Sequence, residues 1–153
     1  MSTSTVTNAV GVAPAPTERW DALTLTAAVA SLAAGLAHYA AIGLHLPDEV
    51  VAAVLFTIVG GAQIIWPTLL GSGRRWVLLA GIVINGASVV AWTLSRTVGL
   101  ALGHESEVEP VGLLDAGCTL AELVVVVAAV VLLRRRLART PAPGGPEDAP
   151  DAD

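Results

Sequence analysis

The sequence predicts an all-α protein, an antiparallel four-helix bundle that crosses a membrane, with disordered N- and C-terminal tails. Of its 153 residues, 54% are hydrophobic and 14% are charged, which is too apolar for a soluble domain of this size. Four long apolar stretches follow one another, and about 20 helical residues cross the hydrocarbon core of a bilayer. The connections between the stretches are short, which favours up-down-up-down packing of neighbouring helices.

The four spans are predicted over residues of about 22–46, 50–70, 76–100 and 111–133. A soluble helix needs a polar face, and a run such as Leu123 to Leu133 (LVVVVAAVVLL) has none. Valine and isoleucine favour strands in water, but a single segment in lipid must satisfy its backbone amides internally. Each stretch is therefore predicted to be a helix in contact with the lipid bilayer.

Both ends of the chain are predicted to be disordered cytoplasmic tails around a transmembrane domain of residues 19–139. Residues 1–18 are rich in Ser, Thr, Ala and Pro, and residues 140–153 (TPAPGGPEDAPDAD) are rich in Pro, Gly and acids. The first twenty residues lack a basic region ahead of an apolar core, so we predict no signal peptide and a retained first span.

The arginines predict the orientation. All eight basic residues are Arg, and seven of them flank the spans on one side: Arg19, Arg74, Arg75, Arg134, Arg135, Arg136 and Arg139. Such an excess marks the cytoplasmic side, so we predict a multi-pass protein of the cell membrane with both termini in the cytoplasm. The net charge of −5 and the lack of a basic face argue against nucleic-acid binding.

Two pairs of ionisable residues share a helical spacing in the first and fourth spans. His38 and His45 are seven residues apart, about two turns, so they lie on one face; Asp115 and Glu122 have the same spacing, with Cys118 between them. The spans run in opposite directions, which places the pairs at matching depths. If the faces meet, they form two rungs, His45 with Asp115 and His38 with Glu122.

The third span contributes a polar stripe. Asn85, Ser88, Trp92 and Arg96 follow a spacing of three and four and line one stripe through the outer half of the membrane. The first three are predicted to form a structural network. Arg96 is the arginine that departs from the cytoplasmic pattern, and its expected partners are the carboxylates Asp115, Glu109 or Glu107.

These polar residues allow two interpretations. They form either a buried network that fixes helix register, or a site for a proton, a cation or a small ligand. The site would comprise His38, His45, Arg96, Asp115 and Glu122, in a binding or transport-accessory protein. Alternatives are a scaffold subunit that docks a membrane-protein partner or another copy of itself, and a membrane redox protein.

Enzymatic activity is the less favoured interpretation. No set of nucleophile, base and oxyanion donor emerges, there is no Gly-rich phosphate loop, and no catalytic residue is assigned. The sequence identifies no cofactor.

A metal site is a further hypothesis. His38, Cys118 and Glu122 could supply three ligands from two helices, and their donor atoms suit zinc or copper, although no HExxH or CxxC motif is present. Haem clamped between two histidines is excluded, because both membrane histidines lie on one helix; ligation of haem from one side stays open.

Segments at the ends of the last two spans resemble a known group. The motifs SRTVG (Ser95 to Gly99) and EPVGLLD (Glu109 to Asp115), with an acidic loop between them, resemble uncharacterised four-span membrane proteins of actinobacteria. The resemblance covers roughly residues 36–136. It implies a four-helix membrane fold and an actinobacterial source, and no activity. There is also a general likeness to DoxX-type membrane proteins, which is mostly shared hydrophobicity.

Overall fold

The computed structural model describes residues 20–46, 48–99, 108 and 110–139. Within this part the chain forms four helices and no strand: α1 (Ala22–His45), α2 (Val50–Leu70), α3 (Arg75–Thr97) and α4 (Leu113–Ala138). Each helix is long and apolar enough to cross a membrane. The predicted all-α four-helix fold is therefore confirmed, and the four spans support a multi-pass membrane protein. The tails lie outside the described residues, so their disorder stays a prediction.

The helices form an antiparallel bundle. α1 packs against α2 and α4, α3 packs mainly against α4, and the contact between α2 and α3 is the smallest of these. We call the end that carries the α1–α2 turn, with His45, the distal end. The opposite end, with the α2–α3 turn and Trp66, is the proximal end.

Contacts at the helix ends explain where the helices begin and stop. Asp21 caps α1, because its carboxylate accepts hydrogen bonds from Thr24 N at 2.8 Å and from the Thr24 hydroxyl at 2.6 Å. These bonds hold the pKa of Asp21 below its ordinary value. α3 ends near Gly99, whose φ of 77° and N–H bond to Leu94 O at 3.1 Å close the last turn.

α4 is longer than the span predicted for it. It begins at Leu113 rather than 111 and continues past 133 to Ala138, through the arginines. Arginine is a good helix former, so the helix persists beyond its apolar stretch. Arg135 Nη1 also lies 3.3 Å from Asp21 Oδ2, which ties the end of α4 to the start of α1.

The exterior of the bundle and its interior at the proximal end are apolar. Toward the distal end, the interior is polar. The buried apolar core comprises Ala27, Ala28, Trp66, Leu70, Val77, Leu78, Val125, Ala128, Ala129 and Leu132. Buried polar side chains lie beyond it, among them Gln63, Asn85 and Glu122. Many Leu and Val side chains face outward. An apolar exterior around polar side chains is the arrangement expected in lipid.

Pro67 interrupts the hydrogen bonding of α2, and α1 repairs the gap. Because proline has no N–H, the carbonyl of Gln63, four residues earlier, loses its helical donor. The Ser31 hydroxyl of α1 donates to Gln63 O at 2.7 Å in a buried position. The freed carbonyl is thus satisfied from a neighbouring helix, as the bilayer interior requires.

We expect Ser31→Ala to lower the free energy of unfolding by about 1–3 kcal/mol, because it leaves a buried carbonyl without a partner. Unfolding of the purified protein in mixed micelles would measure this. In a Pro67→Ala background the helical N–H returns, so the same substitution should cost clearly less. Equal costs in the two backgrounds would contradict this role of Ser31. Thr93→Ala is a control, since that exposed hydroxyl bonds to Val89 O of its own helix.

Candidate metal-binding site

Three buried polar side chains from α2, α3 and α4 form a chain of hydrogen bonds in the bundle interior. Asn85 Nδ2 donates to Gly81 O at 2.8 Å, and Asn85 Oδ1 accepts from Gln63 Nε2 at 3.1 Å. Gln63 Nε2 also donates to Glu122 Oε1 at 2.9 Å. A backbone carbonyl only accepts, so Gly81 O fixes the orientation of the Asn85 amide, which in turn fixes that of Gln63.

This orientation leaves one polar atom of the Gln63 side chain without a hydrogen bond. Both N–H groups of Gln63 are used, while Gln63 Oε1, on a side chain with no exposed surface, has no hydrogen-bond partner among the described residues. The Gln63 side chain also interacts with the His38 ring, so it contacts both His38 and Glu122. A buried acceptor without a hydrogen bond is unfavourable unless a donor, such as a His38 N–H, or a cation approaches it.

His38 of α1 faces the same carboxylate. His38 Nδ1 lies 3.1 Å from Ala34 O, and since a carbonyl only accepts, Nδ1 carries the proton of the neutral ring. The lone pair is then on Nε2, which lies 3.9 Å from Glu122 Oε1. A metal-binding histidine commonly has this arrangement, with one ring nitrogen on a backbone carbonyl and the other free for the metal.

Cys118 lies beside the same ring, on the side of Nδ1. Its Sγ lies 3.3 Å from His38 Nδ1 and 3.6 Å from Ala34 O. One ligand atom from each of His38, Cys118 and Glu122 can be chosen such that all lie within 4.8 Å of one another. We call these three residues together with Gln63 the inner cluster. The structure thus brings together the three residues that the sequence analysis named as metal-ligand candidates.

The two predicted rungs have different outcomes. His38 and Glu122 face each other, as their spacing suggested. His45 and Asp115, however, each have a different partner: His45 Nδ1 hydrogen-bonds to Glu49 Oε2 across the α1–α2 turn, and Asp115 pairs with Arg96. The outer rung is therefore not formed. Glu49 follows His45 by only four residues, so the short turn supplies a nearer carboxylate than the fourth helix does.

The residues of the polar stripe on α3 lie in two separate parts of the bundle. Arg96 Nη2 donates to Asp115 Oδ2 at 2.6 Å, and Trp92 Nε1 lies 3.3 Å from the same oxygen. The Arg96 guanidinium also lies over the Trp92 ring, 5.9 Å from its centre. Glu107 and Glu109, the other expected partners of Arg96, lie outside the described residues.

The remaining members of the stripe lie deeper. Asn85 belongs to the hydrogen-bond chain of the interior, whereas Ser88 donates to Ile84 O of its own helix at 3.1 Å. Arg96 and Asp115 thus join α3 to α4 at the distal end, away from the inner cluster.

Two residues of the interior were not predicted from the sequence. Neither Gln63 in the second span nor Ser31 in the first was named as a candidate. A signal for Ser31 was present, because Pro67 stands four residues after Gln63 and must free its backbone carbonyl. The freed carbonyl predicts a polar side chain that donates to it from a neighbouring helix.

No protein-family model, curated protein or solved structure matches this chain. Fold and interior together define a class: a multi-pass helical membrane protein with a buried cluster of polar and ionisable side chains.

Proposed function

We propose that this protein binds one divalent transition-metal ion of the zinc type inside its transmembrane bundle. The observation that carries the proposal is the inner cluster. An imidazole nitrogen, a thiol sulfur and a carboxylate oxygen, the three ligand types of zinc sites, converge from two helices within 4.8 Å. Gln63 Oε1 supplies a free oxygen beside them.

The charges of the ligands favour a divalent ion. A charged group buried in a bilayer is costly unless its charge is compensated. A thiolate from Cys118 and a carboxylate from Glu122 carry two negative charges, whereas His38 and Gln63 are neutral ligands. A divalent cation brings the net charge of the site to zero. Calcium and magnesium prefer all-oxygen ligands, so the sulfur and nitrogen donors point to a zinc-type ion.

The position of the cluster suggests a role in binding or in accessory steps of transport. Glu122 is nine residues from the start of α4, about 13 Å along the helix, so a bound ion would lie deep in the membrane. In the orientation that the arginines favour, the distal end faces away from the cytoplasm. The protein would then hold an ion reached from the outer face of the cell membrane.

Metal titration of the full-length protein in detergent tests the proposal. After removal of bound metal with a chelator, we expect the protein to take up one zinc ion per chain in competition with a chromophoric zinc chelator. Cobalt in the same site should give a thiolate-to-cobalt absorption band, which Cys118→Ser should abolish.

The matched comparison is between the two membrane histidines. His38→Gln should remove stoichiometric zinc uptake, whereas His45→Gln should retain it, because His45 lies outside the inner cluster. Absence of stoichiometric uptake by the unaltered protein, or equal loss in the two variants, would contradict the proposed function and favour a purely structural network.

A further inference from the structure

A second histidine–glutamate pair lies at the distal end, nearer to the surface. His45, the last residue of α1, hydrogen-bonds through Nδ1 to Glu49 Oε2, just before α2 begins. Imidazole nitrogen and carboxylate oxygen are both ligands for zinc-type ions. Two protein ligands leave the rest of the coordination shell to water, which suits transient binding.

The exposure of the side chains falls steadily from this pair to the inner cluster. The exposed fraction is 41% at Glu49 and 23% at His45, and it is 11% at His38 and 2% at Glu122. Both the surface pair and the inner pair combine a histidine with a glutamate. An ion that exchanges water for protein ligands gradually avoids the cost of losing its hydration shell in one step.

Phe56 of α2 lies between the two histidines. Its ring centre is 4.9 Å from that of His45 and 5.4 Å from that of His38, edge-on to both. Seven helical residues rise about 10.5 Å, so the two centroid distances place Phe56 near the midpoint between the imidazoles. A half-buried aromatic ring at this position separates the surface pair from the inner cluster.

We propose that His45 and Glu49 form a capture site for the same divalent cation, and that the Phe56 ring gates its passage along the α1–α2 face to the inner cluster. This inference deepens the proposed function and depends on it. A capture site and a gate lie on the path of the ion and leave its final ligands unchanged. They therefore alter the rates of loading and release by the same factor and leave the affinity of the inner cluster unchanged.

Stopped-flow measurement of zinc loading and of zinc removal by excess chelator, on the full-length protein, tests this path. The double variant His45→Gln with Glu49→Gln should slow both rates by about tenfold, since capture by charged ligands raises association rates. Its control is Asp48→Asn, which removes an exposed acid from the same turn without touching the pair.

The gate has its own pair of variants. Phe56→Leu should accelerate loading and release by about tenfold, as expected when a gating ring is reduced, and Phe56→Trp should slow them. Leu55→Ala, at an exposed neighbouring position, is the control. These variants retain a large apolar side chain at position 56, which favours folding.

The outcomes separate the two proposals. Stoichiometric zinc binding with rates no different from those of the Asp48 and Leu55 controls overturns the capture site and the gate, and leaves the inner cluster in place. A changed affinity at unchanged loading rate overturns them as well, because it assigns the residues to the final site. If the unaltered protein binds no zinc, the proposed function and this path both fail.

Discussion

Glu122→Gln is expected to weaken zinc binding by about 100-fold or more, which corresponds to about 2.7 kcal/mol of binding free energy. Glutamine keeps the size of the side chain and an oxygen that can accept the hydrogen bond from Gln63 Nε2. It removes the negative charge that, with the Cys118 thiolate, compensates a divalent ion in the bilayer. The variant therefore separates the structural role of the side chain from its role as a ligand.

Thermal unfolding with and without zinc measures both roles. Zinc at 100 times its dissociation constant should stabilise the unaltered protein by about 2.7 kcal/mol, since the ligand binds the folded state. Glu122→Gln should unfold near the metal-free value of the unaltered protein and respond little to zinc. Asp48→Asn, at an exposed position outside both proposed sites, is the control and should keep the full response. A zinc response equal in both variants would contradict a ligand role for Glu122.

Gly35→Ala should destabilise the bundle by about 1–3 kcal/mol, the usual cost of overpacking a close contact. A methyl group added at Gly35 would lie 2.8 Å from Gly60 O and 2.8 Å from Ile64 Cγ1 of α2. The first neighbour is backbone and cannot rotate away, so α1 and α2 would have to separate. Small residues at such crossings are what allow membrane helices to approach closely.

Gly43→Ala in the same helix is the control, because a methyl group there meets nothing within 4 Å among the described residues. In mixed micelles, the free energy of unfolding of Gly43→Ala should equal or exceed that of the unaltered protein, since alanine favours helix. Equal stabilities of the two variants would show that the crossing tolerates separation. The close approach also positions His38, because a methyl group at Gly60 would lie 3.1 Å from His38 Cβ.

The architecture was predictable because it follows from solvation alone. Four apolar stretches with short connections have few alternatives in lipid, and three of the four helices begin within a residue of their predicted starts. The seven-residue spacing in the first and fourth spans predicted His38 opposite Glu122 if the two faces met, and His38 Nε2 lies 3.9 Å from Glu122 Oε1. Periodicity gives the face of a helix, and the antiparallel direction gives the depth.

The features that the sequence did not predict depend on which side chains pair with each other. Helical periodicity does not determine that pairing. His45 was expected to reach Asp115, but a carboxylate four residues away and an arginine on α3 are closer partners for the two groups. In the sequence Gln63 is one polar residue in an apolar span, as Thr57 and Ser88 are. Its importance comes from the place where three helices meet, and only the packing of the bundle defines that place.

The bond from Ser31 to the carbonyl that Pro67 frees has a consequence for biosynthesis. The chain emerges from the ribosome with its N-terminus first, so α1 is available in the membrane when α2 is inserted. The segment around Pro67 carries a backbone carbonyl that its own helix leaves without a donor. α2 therefore gains its full complement of hydrogen bonds only when it docks on the helix made before it, which links its insertion to the pairing of the first two helices.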